Sequence, residues 1–191
     1  MGAALAFAAA LLLTACHRPA DDKAPAAASA DTSASSAPFA PLPAPDTTAD
    51  PARWINGPPS PLSASRGSVI LIEAWDRFCV PCRQSVPAIL ALQSRYSARG
   101  LRVISVAAFD DAPGERQILA DLARDERMTY PCFLDLGSVW QHAAGTSGVI
   151  PMVLVADRRG LFSTQEKGLL LQGTPSFDRL AAAIERALTG S

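Results

Sequence analysis

Apolar positions fall into two regimes along this chain, with the change near residue 52. Residues 17–51 are mostly Ala, Pro, Ser, Thr and Asp, and Phe39 is their only aromatic. Such a segment cannot bury enough apolar surface to offset its ordering entropy, so it is expected to be a disordered tether. Beyond it, uniformly apolar runs alternate with amphipathic ones. Residues 68–75 are too uniformly apolar for a one-sided sheet and predict a strand buried on both faces. Val86, Ile89, Leu90, Gln93 and Tyr96 then recur at helical spacing, ending near Gly100. Residues 102–107 form a second buried strand, which makes a βαβ unit with a parallel pair. A helix over 114–128 carries Ile118, Leu119 and Leu122 on one face, and a strand containing Cys132 follows. A short helix over 138–143 and a strand over 152–156 come next. Asp157-Arg158-Arg159-Gly160 turns that strand into an antiparallel partner over 161–171. Thr174 caps the last helix, with Pro175 at its first position and Phe177, Leu180, Ile184 and Leu188 toward the sheet. Alternating strands and helices closed by a hairpin predict a three-layer α/β sandwich.

Composition adds little to this until the ends are considered. The net charge of −1 gives no electrostatic reason to expect nucleic acid as a partner. Nothing approaches the roughly 18 unbroken apolar residues of a mid-chain membrane span. Residues 2–13, however, are uninterrupted, apolar and alanine-rich, about the length of a signal-peptide core. They run into Leu13-Thr14-Ala15-Cys16, which resembles a bacterial lipobox. The resemblance implies that Cys16 is lipidated and becomes the first residue of the mature protein. The expected organisation is a signal peptide over 1–16, a tether over 17–51 and a folded domain over 52–191. An ordinary secretory signal with Cys16 incidental is the alternative, and both export the domain. No Lys or Arg lies between Met1 and Cys16, which suggests a start a few residues upstream. His17 rather than Asp after Cys16 points, by resemblance to sorting rules, to the outer membrane.

The chemistry concentrates in Trp75-Asp76-Arg77-Phe78-Cys79-Val80-Pro81-Cys82. A cysteine pair between a buried strand and a helix places the first sulfur at the helix N-terminus. Unsatisfied N–H groups and the positive end of the dipole there favour thiolate over thiol. The second thiol, one turn in, can close a reversible disulfide. Half of a zinc knuckle is the competing reading. Zinc needs four ligands, and Cys16, Cys132, His17 and His142 supply no second close pair. No metal and no cofactor beyond the disulfide is expected. Cys132 is left over, and its apolar strand context predicts a buried, inert thiol.

On these residues the chain resembles the thioredoxin superfamily, and within it the TlpA/ResA-like exported reductases. The likeness spans residues 69–188 and rests on three blocks: the cysteine motif with Glu73 and Ala74 before it, Tyr130-Pro131-Cys132-Phe133-Leu134-Asp135, and residues 148–160 with Ile150-Pro151. It implies a thioredoxin-like three-layer sandwich. The 68 residues between Cys82 and Pro151 imply the extra helix–strand insertion of the TlpA-like branch. By resemblance Cys79 is the nucleophile, Cys82 the resolving thiol and Pro151 the cis-proline beside the disulfide. Ile150, Trp75, Val80 and Pro81 would line the substrate site. Glu73 falls where thioredoxins carry a buried acid; between Ile72 and Ala74 it would be desolvated, and so able to accept the Cys82 proton. Two departures matter. Ser85 stands where members serving cytochrome c maturation usually carry an acid, which argues against that role. Phe78 replaces the usual tryptophan.

The expected activity is a lipid-anchored thiol–disulfide oxidoreductase on the periplasmic side of a bacterial membrane, acting on protein thiols and disulfides. Resemblance implies a membrane electron donor of the DsbD/CcdA type. Strong oxidants of the superfamily carry histidine where this chain has Pro81. A reductase with a potential nearer about −270 mV than about −120 mV is therefore expected. The alternative is a Cu(I) chaperone using both thiolates; exported copper-delivery proteins of this fold add a ligand histidine, but His142, the only histidine of the domain, reads as a surface helix residue. A peroxidase lacks its Thr-x-x-Cys setting, and an inert scaffold is the remaining possibility.

Overall fold

Alternation along the strands sorts the side chains into two cores, one on each face of a six-stranded sheet. The computed structural model describes residues 46–146 and 148–190, all within one compact unit over Ala37–Ser191. The expected signal peptide, Cys16 and the tether as far as residue 45 lie outside the described residues.

In chain order the elements are β1 (Trp54–Ile55), β2 (Val69–Trp75), α1 (Val80–Tyr96), β3 (Leu101–Phe109) and α2 (Glu115–Asp125). They continue with β4 (Cys132–Leu136), α3 (Val139–Ala143), β5 (Met152–Ala156), β6 (Phe162–Lys167) and α4 (Pro175–Thr189). The sheet order is β1-β4-β3-β2-β5-β6. β2, β3 and β4 are parallel, while β1, β5 and β6 are antiparallel to their neighbours. β2, at the centre, is buried along its whole length, as its unbroken apolar run predicts.

On one face Leu71, Trp75, Val103, Cys132 and Val153 pack with Val86 and Ile89 of α1, Leu119 of α2 and Leu180 of α4. On the other, Ile70, Ile72, Ile104, Phe133 and Leu154 pack with Trp140 of α3 and with Trp54. The result is an open-sheet α/β sandwich with helices on both faces.

Three local expectations change. The folded region reaches back to Asp46, ahead of the boundary at residue 52. Asp46 and Asp50 each cap a short 3₁₀ turn, and Trp54 Nε1 donates to Thr48 O at 2.9 Å. Thr48 is fully buried, its Oγ1 accepting from Leu62 N at 2.9 Å. Polar bonds rather than apolar periodicity hold this segment down, so composition missed it. The last strand stops at Lys167, not near 171. Ile118 does not face the core; the buried face of α2 is Glu115, Leu119 and Ala123.

Candidate active site

The site lies where β2 delivers the chain to α1. Asp76 Oδ1 accepts from Phe78 N at 2.7 Å, and Asp76 O accepts from Cys79 N at 3.3 Å. This side-chain turn ends the strand and lifts Phe78 outward. Cys79 is the N-cap of α1, its Sγ accepting from Cys82 N at 3.1 Å. Pro81, in the first turn, has no N–H to leave unsatisfied there. Cys79 and Cys82 are joined, with S–S 2.01 Å and Cα–Cα 5.3 Å. Cys79 keeps 8% exposure and Cys82 none, so an incoming sulfur meets Cys79 first.

Beneath the pair lies a buried polar row. Glu73, Ser105 and Cys132 are register partners across β2, β3 and β4, and all three are fully buried. Strand alternation turns Glu73 to the same face as Leu71 and Trp75, the face covered by α1. Tyr130 Oη donates to Glu73 Oε2 at 3.0 Å, while Glu73 Oε1 has no hydrogen-bond partner. Burial pushes the Glu73 carboxyl up to about 8, and the Tyr130 bond opposes that rise. Burial also pushes the Cys132 thiol up to about 12, and its Sγ donates to Phe133 O at 3.8 Å. Cys132 is a free, buried thiol, in keeping with its apolar strand context.

Ile150-Pro151 is a cis peptide bond, and Pro151 O accepts from Gly168 N at 2.8 Å. The pairing of Ala74 with Met152 sets Pro151 one step further along, at the end of the sheet from which the cysteine loop emerges. Ile150 is half-buried, and Val80 and Pro81 are exposed. Trp75 is not available to a substrate. It has no exposure, because strand alternation directs its ring under α1. The exposed aromatic is Phe78, at 76%, with the Arg77 guanidinium 4.6 Å from its ring centroid. Its position directly before a helix-capping cysteine was the available signal. Arg77 also pairs with Glu115, whose carboxylate accepts from Asp110 N and Ala112 N. Arg77, Phe78, Ala112 and Glu115, with Ile118 and Leu122, border a concavity of about 350 Å³.

Ser85 is buried as well: its Oγ donates to Pro81 O at 2.9 Å and accepts from Leu170 N at 3.0 Å. His142 lies apart from the cysteines, on α3 across the sheet, exposed and with Nδ1 2.7 Å from Ser138 O. Among the described residues no three metal-ligating side chains come together.

Comparison with known proteins matches this chain to a family. The family model described as Redoxin matches residues 19–169. The thioredoxin-like protein YneN of Bacillus subtilis (strain 168) is 27% identical over 118 residues, covering 62% of this chain and 67% of that one. Among solved structures, a candidate DsbE-type thiol:disulfide interchange protein from Chlorobium tepidum is 26% identical, with TM-score 0.57. The match covers 68% of this chain and 86% of that one. A thioredoxin-like protein solved in its oxidised form shares the fold at TM-score 0.60 and 19% identity, covering 80% and 97%.

Proposed function

The chain belongs to the Redoxin family, its disulfide on this fold makes it a thiol–disulfide oxidoreductase, and from that premise we propose that it is an exported, lipid-anchored reductase of protein disulfides. One observation carries the reading: the sulfur at the helix cap is the reachable one and its partner is sealed. In the reduced enzyme the Cys79 thiolate attacks a client disulfide. A bond forms between Cys79 and one client sulfur, and the other client sulfur leaves as thiolate and takes a proton from solvent. Cys82 then gives its proton to the Glu73 carboxylate and attacks Cys79 Sγ. The client's second sulfur leaves, the Cys79–Cys82 disulfide closes, and two electrons have passed to the client. A dithiol donor, of the DsbD/CcdA type by resemblance, restores the reduced enzyme.

Phe78, Val80 and Pro81 surround Cys79 as an exposed, largely apolar rim suited to an extended polypeptide. Leu13-Thr14-Ala15-Cys16 supports the lipid anchor. A tether over residues 17–45, roughly 29 residues, would have a reach of about 30 Å as flexible coil, and about 90 Å if polyproline-like. Pro81 in place of histidine supports the reducing direction. The stretch over 115–136 is the candidate for the TlpA-like insertion.

Reduction of insulin disulfides by the reduced domain, abolished in Cys79→Ser, is the expected result. A Cys82→Ser variant should hold its clients as mixed disulfides. A potential above about −150 mV against glutathione would reverse the direction, and absence of activity with any dithiol donor would reduce the protein to a scaffold.

A further inference from the structure

Glu73 is the acceptor in the reading above, and the inference drawn next rests on that assignment. Nothing in that reading says which of the two carboxylate oxygens takes the proton, or what keeps a carboxyl in this apolar layer ionisable at all. Unpaired burial disfavours the charged form, and a base that never ionises accepts nothing.

Tyr130 meets both needs. Its phenol is fully buried and donates to Oε2 at 3.0 Å. The phenol stays protonated through the useful pH range, because burial and the neighbouring Glu73 charge raise it well above its ordinary value. The bond is therefore a fixed donor to Glu73, and a hydrogen bond to a charged group is worth more than one to a neutral group. Tyr130 cannot drift from this position. Asn56 Nδ2 donates to Tyr130 O and to Met128 O, both at 2.9 Å, and Ser105 N donates to Pro131 O at 2.9 Å. With Oε2 engaged, Oε1 is the oxygen left without a partner.

We propose that Tyr130 is the positioning residue of the proton-transfer step: it holds the Glu73 carboxyl by Oε2, keeps it ionisable, and leaves Oε1 to take the proton of Cys82. The other titratable neighbours are spectators. Cys132 on β4 is held protonated by burial, Ser105 on β3 is neutral, and β5 presents Val153 opposite Glu73. From α1 the cysteine pair itself is the titratable group, with Val86 and Ile89 apolar beside it.

The experiment compares Tyr130→Phe and Glu73→Gln with the wild-type enzyme in two measurements. In oxidised, ¹³C-labelled protein, the side-chain carboxyl resonance of Glu73 is titrated. In stopped flow, reduced enzyme is mixed with an aromatic disulfide whose two thiols are released in turn, the first on attack and the second on resolution. In Tyr130→Phe the Glu73 midpoint should rise by about one pH unit, since a bond favouring the carboxylate is gone. Resolution at neutral pH should slow by up to about tenfold and return to the wild-type plateau at higher pH. Glu73→Gln should lose that pH-dependent limb at every pH. A merely structural Tyr130 would lower the plateau or the melting temperature and leave the midpoint in place, which overturns the proposal. If Glu73→Gln keeps the wild-type limb, Glu73 is not the acceptor and the proposal falls with that reading. If Glu73→Gln loses the limb while Tyr130→Phe titrates as wild type, the acceptor stands and Tyr130 does not position it.

Discussion

Glu73 is a carboxyl buried where its charged form is costly to the fold. In the unfolded chain its carboxyl titrates near 4.5; burial moves it to about 8 in the folded one. Between those pH values the unfolded state has released a proton that the native state still holds, so stability falls as pH rises through the window. The contribution is whole below about 4.5 and lost by about 8, a swing on the order of 4–5 kcal/mol. Glu73→Gln keeps the shape and removes the titration. Its stability advantage over wild type, measured by urea unfolding of the oxidised proteins, should therefore widen from pH 5 to pH 8. A difference that stays flat would mean that Glu73 is solvated in the native state. Cys132, in the same row, makes the opposite prediction. Its buried, protonated sulfur is a poor nucleophile. Iodoacetamide should modify the reduced native protein at Cys79 and reach Cys132 only after unfolding, which peptide mass mapping would show.

At the scale of elements, what could be read from the chain was what apolar burial dictates. β2 and β3 are mostly apolar because both their faces are covered, Glu73 and Ser105 being the buried exceptions, and α4 carries its own cap and stop in Thr174 and Gly190. Features held by polar contacts left no such trace. β1 is two residues long, and the Asp46–Thr48 segment before it is fixed by hydrogen bonds. Trp75 and Phe78 exchanged roles for a related reason. An aromatic near a cysteine motif looks alike in sequence whether it ends a strand under a helix or sits on the turn after it. Ser85 was noticed only for the acid it replaces, yet it ties α1 to the segment between β6 and α4. It takes up a carbonyl of the first turn of α1 and satisfies the buried N–H of Leu170. Ser85→Ala should cost about 1–3 kcal/mol in denaturant unfolding, because the Leu170 N–H is left without a partner. Ser85→Glu should cost more, since it forces a carboxylate into a fully buried position. A Ser85→Ala protein as stable as wild type would show that Leu170 N finds another acceptor.

Across the whole molecule, the motif that carries the cysteines is short, and much of the apolar surface next to it comes from elsewhere in the chain. α2 lies between β3 and β4, far in sequence from Cys79, yet Glu115 at its start pairs with Arg77, two residues before that cysteine. That pair ties the cysteine loop to α2 and opens the concavity of about 350 Å³ between Phe78 and the exposed side of Ile118. Its two charged groups are each other's partners, so what remains for a visitor is apolar surface: Phe78, Pro113, Ile118 and Leu122. An apolar side chain flanking the client cysteine would gain about 1.5–3 kcal/mol by full burial there, equivalent to roughly ten- to a hundredfold in binding. Ile118→Asp leaves the cysteines, Glu73 and the Arg77–Glu115 pair in place and makes the wall polar. Reduction of a peptide disulfide with an apolar flanking residue should then lose about tenfold or more in kcat/KM, mostly through KM. A small aliphatic disulfide, too short to reach Ile118, should be reduced at the wild-type rate. Equal losses with both substrates would mean that α2 acts only by holding the cysteine loop, and that clients are recognised on the other side of Cys79.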